Sequence, residues 1–206
     1  MEYITSSDFH FKDTAVALGK FEGIHRGHQL LMDEVKKQEL HGLRSVVFTF
    51  DRPTRLTLTG DTEYKQIYTK KERREILEKR GIDILIEHPF TKEFAALTPD
   101  RFIREVLVEK VGAKVIVVGT DFHFGKNRSG SITDLEKLEE ECGYHLIVVE
   151  KLQLNGKDIS STRIRASLEK GAMEEAKALL GRNYSVSGEI LHGNALGRTI
   201  QVPTIN

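Results

Sequence analysis

The chain has 206 residues, enough for one medium-sized domain or for a domain with a small appendage. Its 31 basic and 31 acidic residues balance, so no overall charge attracts it to nucleic acid or to a membrane, and any anion site must be built locally. The single cysteine, Cys142, excludes an internal disulfide and a multi-cysteine zinc cluster. With no long apolar stretch and no secretory pattern, we expect a cytoplasmic protein.

Up to Glu150, short apolar runs alternate with longer amphipathic stretches. The runs predict strands at residues 15–19, 44–50, 83–87, 114–119 and 145–150. The stretches between them predict helices at residues 27–40, 69–79 and 132–142, and a further helix that Thr98 caps, Pro99 begins and Gly112 ends.

Alternation of strands and helices predicts an α/β fold with a doubly wound parallel sheet. The runs are apolar throughout, which favours strands that helices cover on both faces. Ligands bind at the carboxyl ends of the strands in such sheets. We therefore expect a site lined by residues 19–28, 50–55, 87–90 and 119–130.

The pattern changes after Glu150. A hairpin is predicted to turn at Asn155-Gly156, and short helices are predicted at residues 161–169 and 173–179. From Tyr184 the sequence alternates like an antiparallel β segment too short to bury a core alone. We expect one domain over residues 1–182, and over 183–206 either a packed arm or the opening of a second domain.

The first candidate site is the sequence "GIHRGH", which follows a predicted strand and enters a helix. It puts His25 and His28 at a helix start, where unpaired N–H groups and the helix dipole favour an anion. Gly27 lets the backbone approach a ligand, and Gly19 relieves crowding in the loop. Alternatively, the histidines form a solvated cap or two of three zinc ligands, although a third ligand and the HExxH pattern are missing.

The second candidate site is "DISSTRIRASL". Hydroxyls of Ser161 and Thr162 stand at a predicted helix start, and Arg163 and Arg165 follow within one turn. Cations at that end of a helix are unfavourable without an anion, which a polyphosphate would supply. The alternative is a simple N-cap.

The third candidate site is "VGTDFHFGKNRSGS", a loop that follows the fourth predicted strand. Phe124 could stack on a flat ligand, and Asp121 could accept a hydrogen bond from a ribose or a base. Arg128 lies between two glycines of the same loop. An ordinary connection between strand and helix is the alternative.

Four segments in this order and spacing, "GKFEGIHRGHQ", "VVFTF", "VVGTDFHFGKNRSG" and "ISSTRIR", closely resemble the prokaryotic bifunctional riboflavin kinase/FMN adenylyltransferases, also called FAD synthetases. The stretch "LLGRNYSVSGEILHGNALGRTIQVPTIN" resembles the joint into the riboflavin kinase barrel of that family. The resemblance implies a Rossmann-like fold of the HxGH nucleotidyltransferase type. It assigns residues 1–182 to the adenylyltransferase domain and 183–206 to the start of the kinase barrel.

The implied reaction joins FMN and ATP into FAD and pyrophosphate, with Mg²⁺ arriving on ATP and no dedicated metal ligands. The resemblance gives catalytic roles to His25, His28 and Arg165; ATP or phosphate contacts to Gly19, Lys20, Phe21, Gly27, Ser161, Thr162, Arg163 and Asp121; flavin contacts to Phe50, Asp51, Phe124 and Arg128; and a kinase-motif remnant to Thr204 and Asn206.

The chain departs from the family pattern in three places. Lys20-Phe21-Glu22 replaces the usual Asn-Phe-Asp, Asp51 and Pro53 keep the turn after the second strand only loosely, and "PTIN" replaces "PTAN". We expect small-molecule substrates, no nucleic-acid or membrane partner, and no riboflavin kinase activity from this chain. The alternatives are another small HxGH nucleotidyltransferase and a non-catalytic module that binds flavin or nucleotide.

Overall fold

A computed structural model describes residues 1–52 and 65–188. Within them a six-stranded sheet has the order β1-β4-β3-β2-β5-β6, and every neighbouring pair is parallel. The strands are β1 (Glu2–Ile4), β2 (Thr14–Leu18), β3 (Arg44–Phe50), β4 (Ile84–His88), β5 (Ala113–Gly119) and β6 (His145–Val149). The five predicted strands are confirmed within one residue at each end. The prediction missed β1, because three residues are too short to show a period.

The helices are α1 (Arg26–Lys37), α2 (Lys70–Lys79), α3 (Lys92–Ala95), α4 (Pro99–Arg101), α5 (Ile132–Cys142), α6 (Ser161–Glu169) and α7 (Met173–Leu180). The prediction of one helix over residues 27–40 was wrong at its end, since a 3₁₀ turn over Gln38–His41 follows Lys37. After α4 the chain continues as a π-helix over Phe102–Lys110. Hydrophobic spacing alone does not distinguish such a segment from an α-helix.

Helices cover both faces of the sheet, which confirms the doubly wound arrangement. On one face Leu31, Met32 and Val35 of α1 and Leu77 of α2 are buried against the sheet. On the other face the π-helix and Leu135 of α5 pack on a second buried cluster. β2 and β4 are buried at every residue, as expected for strands covered on both sides. The chain runs from β2 to one side of the sheet and later returns beside it as β5, so a switch point lies between them.

A third, smaller core joins α6 and α7 to the stretch that leads into α2. Ile164, Leu179 and Leu180 pack there with Ile67 and Tyr68. The predicted hairpin is confirmed as β7 (Gln153–Leu154) and β8 (Lys157–Asp158), and Asn155 and Gly156 turn between them with φ of 55° and 70°. The β segment predicted from Tyr184 falls largely on residues 189–206, which lie outside the described residues. No helix among the described residues is long and apolar enough to cross a membrane.

Gly112 and Gly143 provide a matched test of how closely the backbone at Gly112, just before β5, packs on the backbone at Phe11, ahead of β2. Both have positive φ, 66° and 68°. A Cβ on Gly112 would lie 2.3 Å from the Phe11 carbonyl oxygen, whereas a Cβ on Gly143 would meet nothing within 4 Å. Gly143→Ala should lower the free energy of unfolding by about 1 kcal/mol through backbone strain alone. Gly112→Ala should cost about 1–3 kcal/mol more, because backbone must move.

Urea denaturation of the two variants measures this difference. Equal losses would mean that the contact between Phe11 and Gly112 relaxes freely.

Candidate functional site

A cavity of about 870 Å³ opens at the carboxyl ends of the parallel strands. Its walls come from the carboxyl-terminal ends of β2, β3, β5 and β6, from residues in the connections that follow β2, β4, β5 and β6, and from the start of α6. This is the edge that the sequence predicted, and the predicted segments 19–28 and 119–130 supply much of the wall. Phe50 and Phe90 represent the other two predicted segments, and residues 53–55 lie outside the described residues. Residues 149–152 and 158–162, together with Arg165, add a wall that the strand rule did not predict.

His25 and His28 lie at the start of α1 with their rings stacked. His25 is the N-cap residue, and its Nδ1 accepts the backbone N–H of His28 at 3.2 Å. The imidazole rings stack with centroids 3.6 Å apart. Because His25 Nδ1 is an acceptor, the neutral ring carries its proton on Nε2. The bend therefore offers a ligand the donors of a helix start and of an imidazole.

Burial keeps both imidazoles uncharged at neutral pH. Desolvation lowers the pKa of His25 to about 4, and the charge of Arg182 adds to this effect. Desolvation also lowers the pKa of His28 well below its ordinary value, and His25 adds to that shift. His28 Nδ1 is buried with no hydrogen-bond partner among the described residues. An anionic ligand would favour the charged form and raise both pKa values.

The backbone ahead of the histidines is strained. Phe21 and Ile24 have φ of 44° and 42°, and their side chains are completely buried. A positive φ is unfavourable for any residue with a Cβ and is a true outlier for isoleucine. The Ile24 carbonyl accepts a bond from Gln29 Nε2 at 2.9 Å and one from Arg182 Nη1 at 2.8 Å. Arg182 Nη2 also donates to the Gly23 carbonyl at 3.0 Å. Strain of this kind, held by surrounding bonds, is typical of functional sites.

The start of α6 faces the same cavity. Ser161, Thr162 and Arg165 line it together with His25 and His28. Arg165 Nη2 donates to Glu22 Oε2 at 2.8 Å, and Arg165 Nε donates to the Lys65 carbonyl at 2.8 Å. The structure thus brings together the histidine bend and the start of α6, which lie more than a hundred positions apart in the sequence.

Arg163 lies away from this group. Its guanidinium binds Glu175 at 2.9 Å and the carbonyls of Leu154 and Lys157, so it ties α6 to the hairpin and to α7. It is absent from the cavity wall among the described residues. The phosphate contact expected of Arg163 is therefore corrected to a structural role. Residues two apart on a helix do not share a face, so Arg163 and Arg165 cannot both point into the cavity.

At the mouth of the cavity, Lys151 joins two carboxylates. Its ammonium lies 3.1 Å from Asp121 Oδ2 and 3.3 Å from Asp158 Oδ2. The loop after β5 is thereby tied to the hairpin. Asp121 lines the cavity, as the expected contact with adenosine requires.

The opposite half of the cavity is aromatic. Phe50 packs with Phe90 and Phe94 at centroid distances of 4.8 Å and 5.6 Å. Phe124 packs with Phe102 and Phe122 at 5.4 Å and 5.5 Å. These six rings all line the cavity. Phe50 meets its two neighbours edge to face, at 62° and 71°, whereas Phe122 and Phe124 are stacked at 19°. Together the six rings form an apolar wall suited to contact with a large planar ring.

Two of the residues expected to touch ligand support the wall from behind. Phe21 is fully buried, and its ring meets the edge of His28 at 5.0 Å. Asp51 is not among the described lining residues, and its Oδ1 accepts the backbone N–H of Phe90 at 3.0 Å. Lys20, Gly19, Gly27 and Arg128 line the cavity as expected. Thr204 and Asn206 lie outside the described residues.

Sequence reasoning missed the residues that hold the site together. Gln29 and Arg182 fix the strained bend, Glu22 binds Arg165, and Lys151 bridges two loops. Glu22 was noticed only as a departure from a pattern. Arg182 lies directly after a helix-ending glycine, which is a signal for a helix end and gives no sign of a partner in the first loop.

The described residues contain no group of three or more His, Cys, Asp or Glu side chains placed to bind a metal ion. Of the carboxylates in the cavity wall, Glu22 binds Arg165, and Asp121 and Asp158 share Lys151. This donor set fits a metal ion that enters already bound to a polyphosphate.

The sequence matches the profile of the FAD synthetase family over residues 8–163 and that of the riboflavin kinase family over residues 180–206. It is 34% identical over 205 residues to a bifunctional riboflavin kinase/FMN adenylyltransferase of Listeria monocytogenes, covering 98% of this chain and 65% of that protein. It is 33% identical over 196 residues to the protein of that name from Buchnera aphidicola, covering 94% of this chain and 63% of the relative. The chain thus spans less than two thirds of these relatives.

Among solved structures, one from Streptococcus pneumoniae described as a macrolide-efflux protein has a TM-score of 0.89 and 32% sequence identity. The match covers 100% of this chain and 68% of that one.

The charge of Arg182 provides a test of the electrostatics of the bend. Replacing it in Arg182→Met should raise the pKa of His25 from about 4, because a nearby cation that disfavours the imidazolium is gone. An NMR titration of the histidine side chains measures this pKa.

Arg182→Lys is the matched control, since it keeps the positive charge and loses the paired bonds to the carbonyls of Gly23 and Ile24. The pKa of His25 should rise less in this variant. An equal rise in both would show that the geometry of the bend, and not the charge, sets the pKa.

Proposed function

The chain belongs to the FAD synthetase family, and from this premise we propose that it transfers the AMP group of ATP to FMN, giving FAD and pyrophosphate. One observation carries the proposal. A single cavity combines an imidazole bend and a hydroxyl-arginine turn with an aromatic wall. The first two suit the phosphates of a nucleotide, and the third suits an isoalloxazine ring.

In this proposal the phosphates of ATP lie between the bend and the start of α6. His25 and His28 bind them from one side, and Ser161, Thr162 and Arg165 bind them from the other. Gly19 and Gly27 leave room for the phosphates beside the backbone, and Asp121 accepts a bond from the adenosine. Their meeting in one cavity supports these roles.

The reaction needs no protein nucleophile. A phosphate oxygen of FMN forms a bond to the α-phosphorus of ATP as the bond from that phosphorus to the bridging oxygen breaks. The electron pair leaves on pyrophosphate. The protein contributes position and charge neutralisation, as in phosphoryl transfer generally. Arg165 would neutralise charge on the leaving group, and its bonds to Glu22 and to the Lys65 carbonyl hold it at the cavity wall, which supports this role.

The aromatic half would hold FMN. Phe50 and Phe124 stand at its two sides, and Asp51 fixes the backbone of Phe90 between them. Mg²⁺ would enter as part of the ATP substrate and neutralise phosphate charge, with no ligand set of its own in the described residues.

We further propose that residues 1–182 form the adenylyltransferase domain and residues 183–206 begin a second domain. The riboflavin kinase match starting at residue 180, where α7 ends, supports this boundary. A cytoplasmic location, the absence of nucleic-acid and membrane partners, and the absence of riboflavin kinase activity from this chain stay predictions.

Incubation of the chain with ATP, Mg²⁺ and FMN should yield FAD and pyrophosphate in equal amounts. Chromatography measures the FAD, and a pyrophosphate assay measures the pyrophosphate. His28→Ala should lower kcat by about 10²–10³, as for the loss of one donor to a transition-state oxyanion. Binding of both substrates without product would support the non-catalytic alternative. Product from nicotinamide mononucleotide or pantetheine phosphate in place of FMN would support a different HxGH transferase.

The two arginines of α6 give a sharper test. Arg165→Met should reduce kcat by about 10²-fold or more, because charge on the departing pyrophosphate loses its partner. Arg163→Met should leave kcat near the wild-type value and lower the melting temperature, because Arg163 binds Glu175 and two carbonyls. Steady-state kinetics and thermal unfolding of both variants decide this. A large fall in kcat for a folded Arg163→Met protein would restore the phosphate role of Arg163.

A further inference from the structure

Four basic side chains line the cavity among the described residues, and two of them are already bound to carboxylates. Arg165 lies 2.8 Å from Glu22. Lys151 lies 3.1 Å from Asp121 and 3.3 Å from Asp158. The other two are Lys20 and Arg128. Unlike the first pair, they are bound to no carboxylate among the described residues, which indicates an anionic ligand.

Neither Lys20 nor Arg128 has a side-chain hydrogen bond or ion pair within residues 1–52 and 65–188. Solvent reaches both side chains through the cavity. Desolvation by burial lowers the pKa of Lys20 and the charge of Arg128 lowers it further, whereas the charge of Glu22, a carboxylate already bound to Arg165, acts in the opposite direction. Two cations that repel each other at a partly desolvated wall are unfavourable unless an anion binds between them.

The backbone fixes the position of both residues. The Lys20 carbonyl accepts a bond from Thr49 Oγ1 at 2.9 Å. Arg128 has a φ of 59°, and its N–H donates to the Gly125 carbonyl at 3.0 Å. Two backbone bonds between Phe124 and Gly130, at 3.1 Å and 2.9 Å, close the loop that carries it. The backbone of both residues is therefore held in place at the cavity wall, from which both side chains can reach one anion.

Each cation of the pair belongs to a segment that contributes to one half of the cavity. Lys20 directly precedes Phe21, whose ring contacts His28 of the imidazole bend. Arg128 belongs to the loop whose Phe122 and Phe124 form part of the aromatic wall. A flavin that stacks on that wall must extend its phosphate from the aromatic half toward the imidazole bend. Lys20 and Arg128 line the cavity that such a flavin would occupy.

We propose that Lys20 and Arg128 together bind the phosphate group of the flavin substrate. This inference rests on the proposed function and extends it to the nucleophile. A phosphate that carries close to two negative charges matches the two cations. Their charge also reduces the repulsion between this phosphate and the α-phosphate of ATP as the new P–O bond forms.

The same pair explains how the chain distinguishes a flavin with a phosphate from one without. Riboflavin has the same ring system and lacks the phosphate, so it would leave both cations without a partner. Lys20 supplies a full charge at this position, where an amide side chain would supply only a dipole.

The test compares FMN with riboflavin on the folded 206-residue chain. Quenching of flavin fluorescence measures the Kd of each flavin, and calorimetry measures the Kd of ATP. Lys20→Met and Arg128→Met should each raise the Kd of FMN by about tenfold or more, as expected for a charge-assisted bond. The Kd values of riboflavin and ATP should stay within about twofold of the wild type. Lys20→Arg, which keeps the charge, should recover most of the FMN affinity.

Three outcomes would overturn the proposal. Equal losses for FMN and riboflavin would give the cations a structural role. Weaker ATP binding with unchanged FMN binding would assign them to the nucleotide. Wild-type protein that binds FMN no more tightly than riboflavin would have no flavin-phosphate site. Because binding is measured without turnover, a chain that prefers FMN and makes no FAD would contradict the proposed reaction and support this site.

Discussion

The arrangement of the cavity depends on one constrained piece of backbone, the bend between β2 and α1. Phe21 and Ile24 adopt a conformation that neither would choose alone, and both side chains are sealed in the core. Arg182, from just beyond α7, and Gln29, from α1, hold the carbonyls of this bend. Only with the bend in place does His25 cap α1 and stack on His28. The far end of the described chain therefore fixes the geometry of a site near its beginning.

The charges of the cavity wall are nearly balanced. Among the described lining residues, the cations are Lys20, Arg128, Lys151 and Arg165, and the carboxylates are Glu22, Asp121, Glu150 and Asp158. The wall as a whole is therefore not strongly charged. What differs is which cations already bind a carboxylate of the wall, because Arg165 binds Glu22 and Lys151 binds Asp121 and Asp158. A neutral protein can thus present a local anion site without a general attraction to polyanions.

The stretch just before α2 connects this site to the start of the riboflavin kinase match. The Lys65 carbonyl accepts a bond from Arg165, and the Ile67 carbonyl accepts one from Tyr184 at 3.1 Å. The backbone N–H of Ser187 donates to Glu72 in the first turn of α2 at 2.8 Å. The chain leaving α7 therefore packs on the same segment that orients the arginine of the site.

The sequence by itself determined the layers of the fold and the edge at which the cavity lies. Buried parallel strands and amphipathic helices carry periodic signals, and ligands gather where such strands end. It also pointed to His25, His28, Arg163 and Arg165 as candidates, because unusual residues at helix starts are visible locally, but the local pattern did not separate the two arginines. Only the tertiary structure decided that Arg163 faces Glu175, that Glu22 binds Arg165 and that Arg182 holds the first loop. These are contacts between residues distant in the chain, and no local period or spacing encodes which distant side chain a charged group will meet.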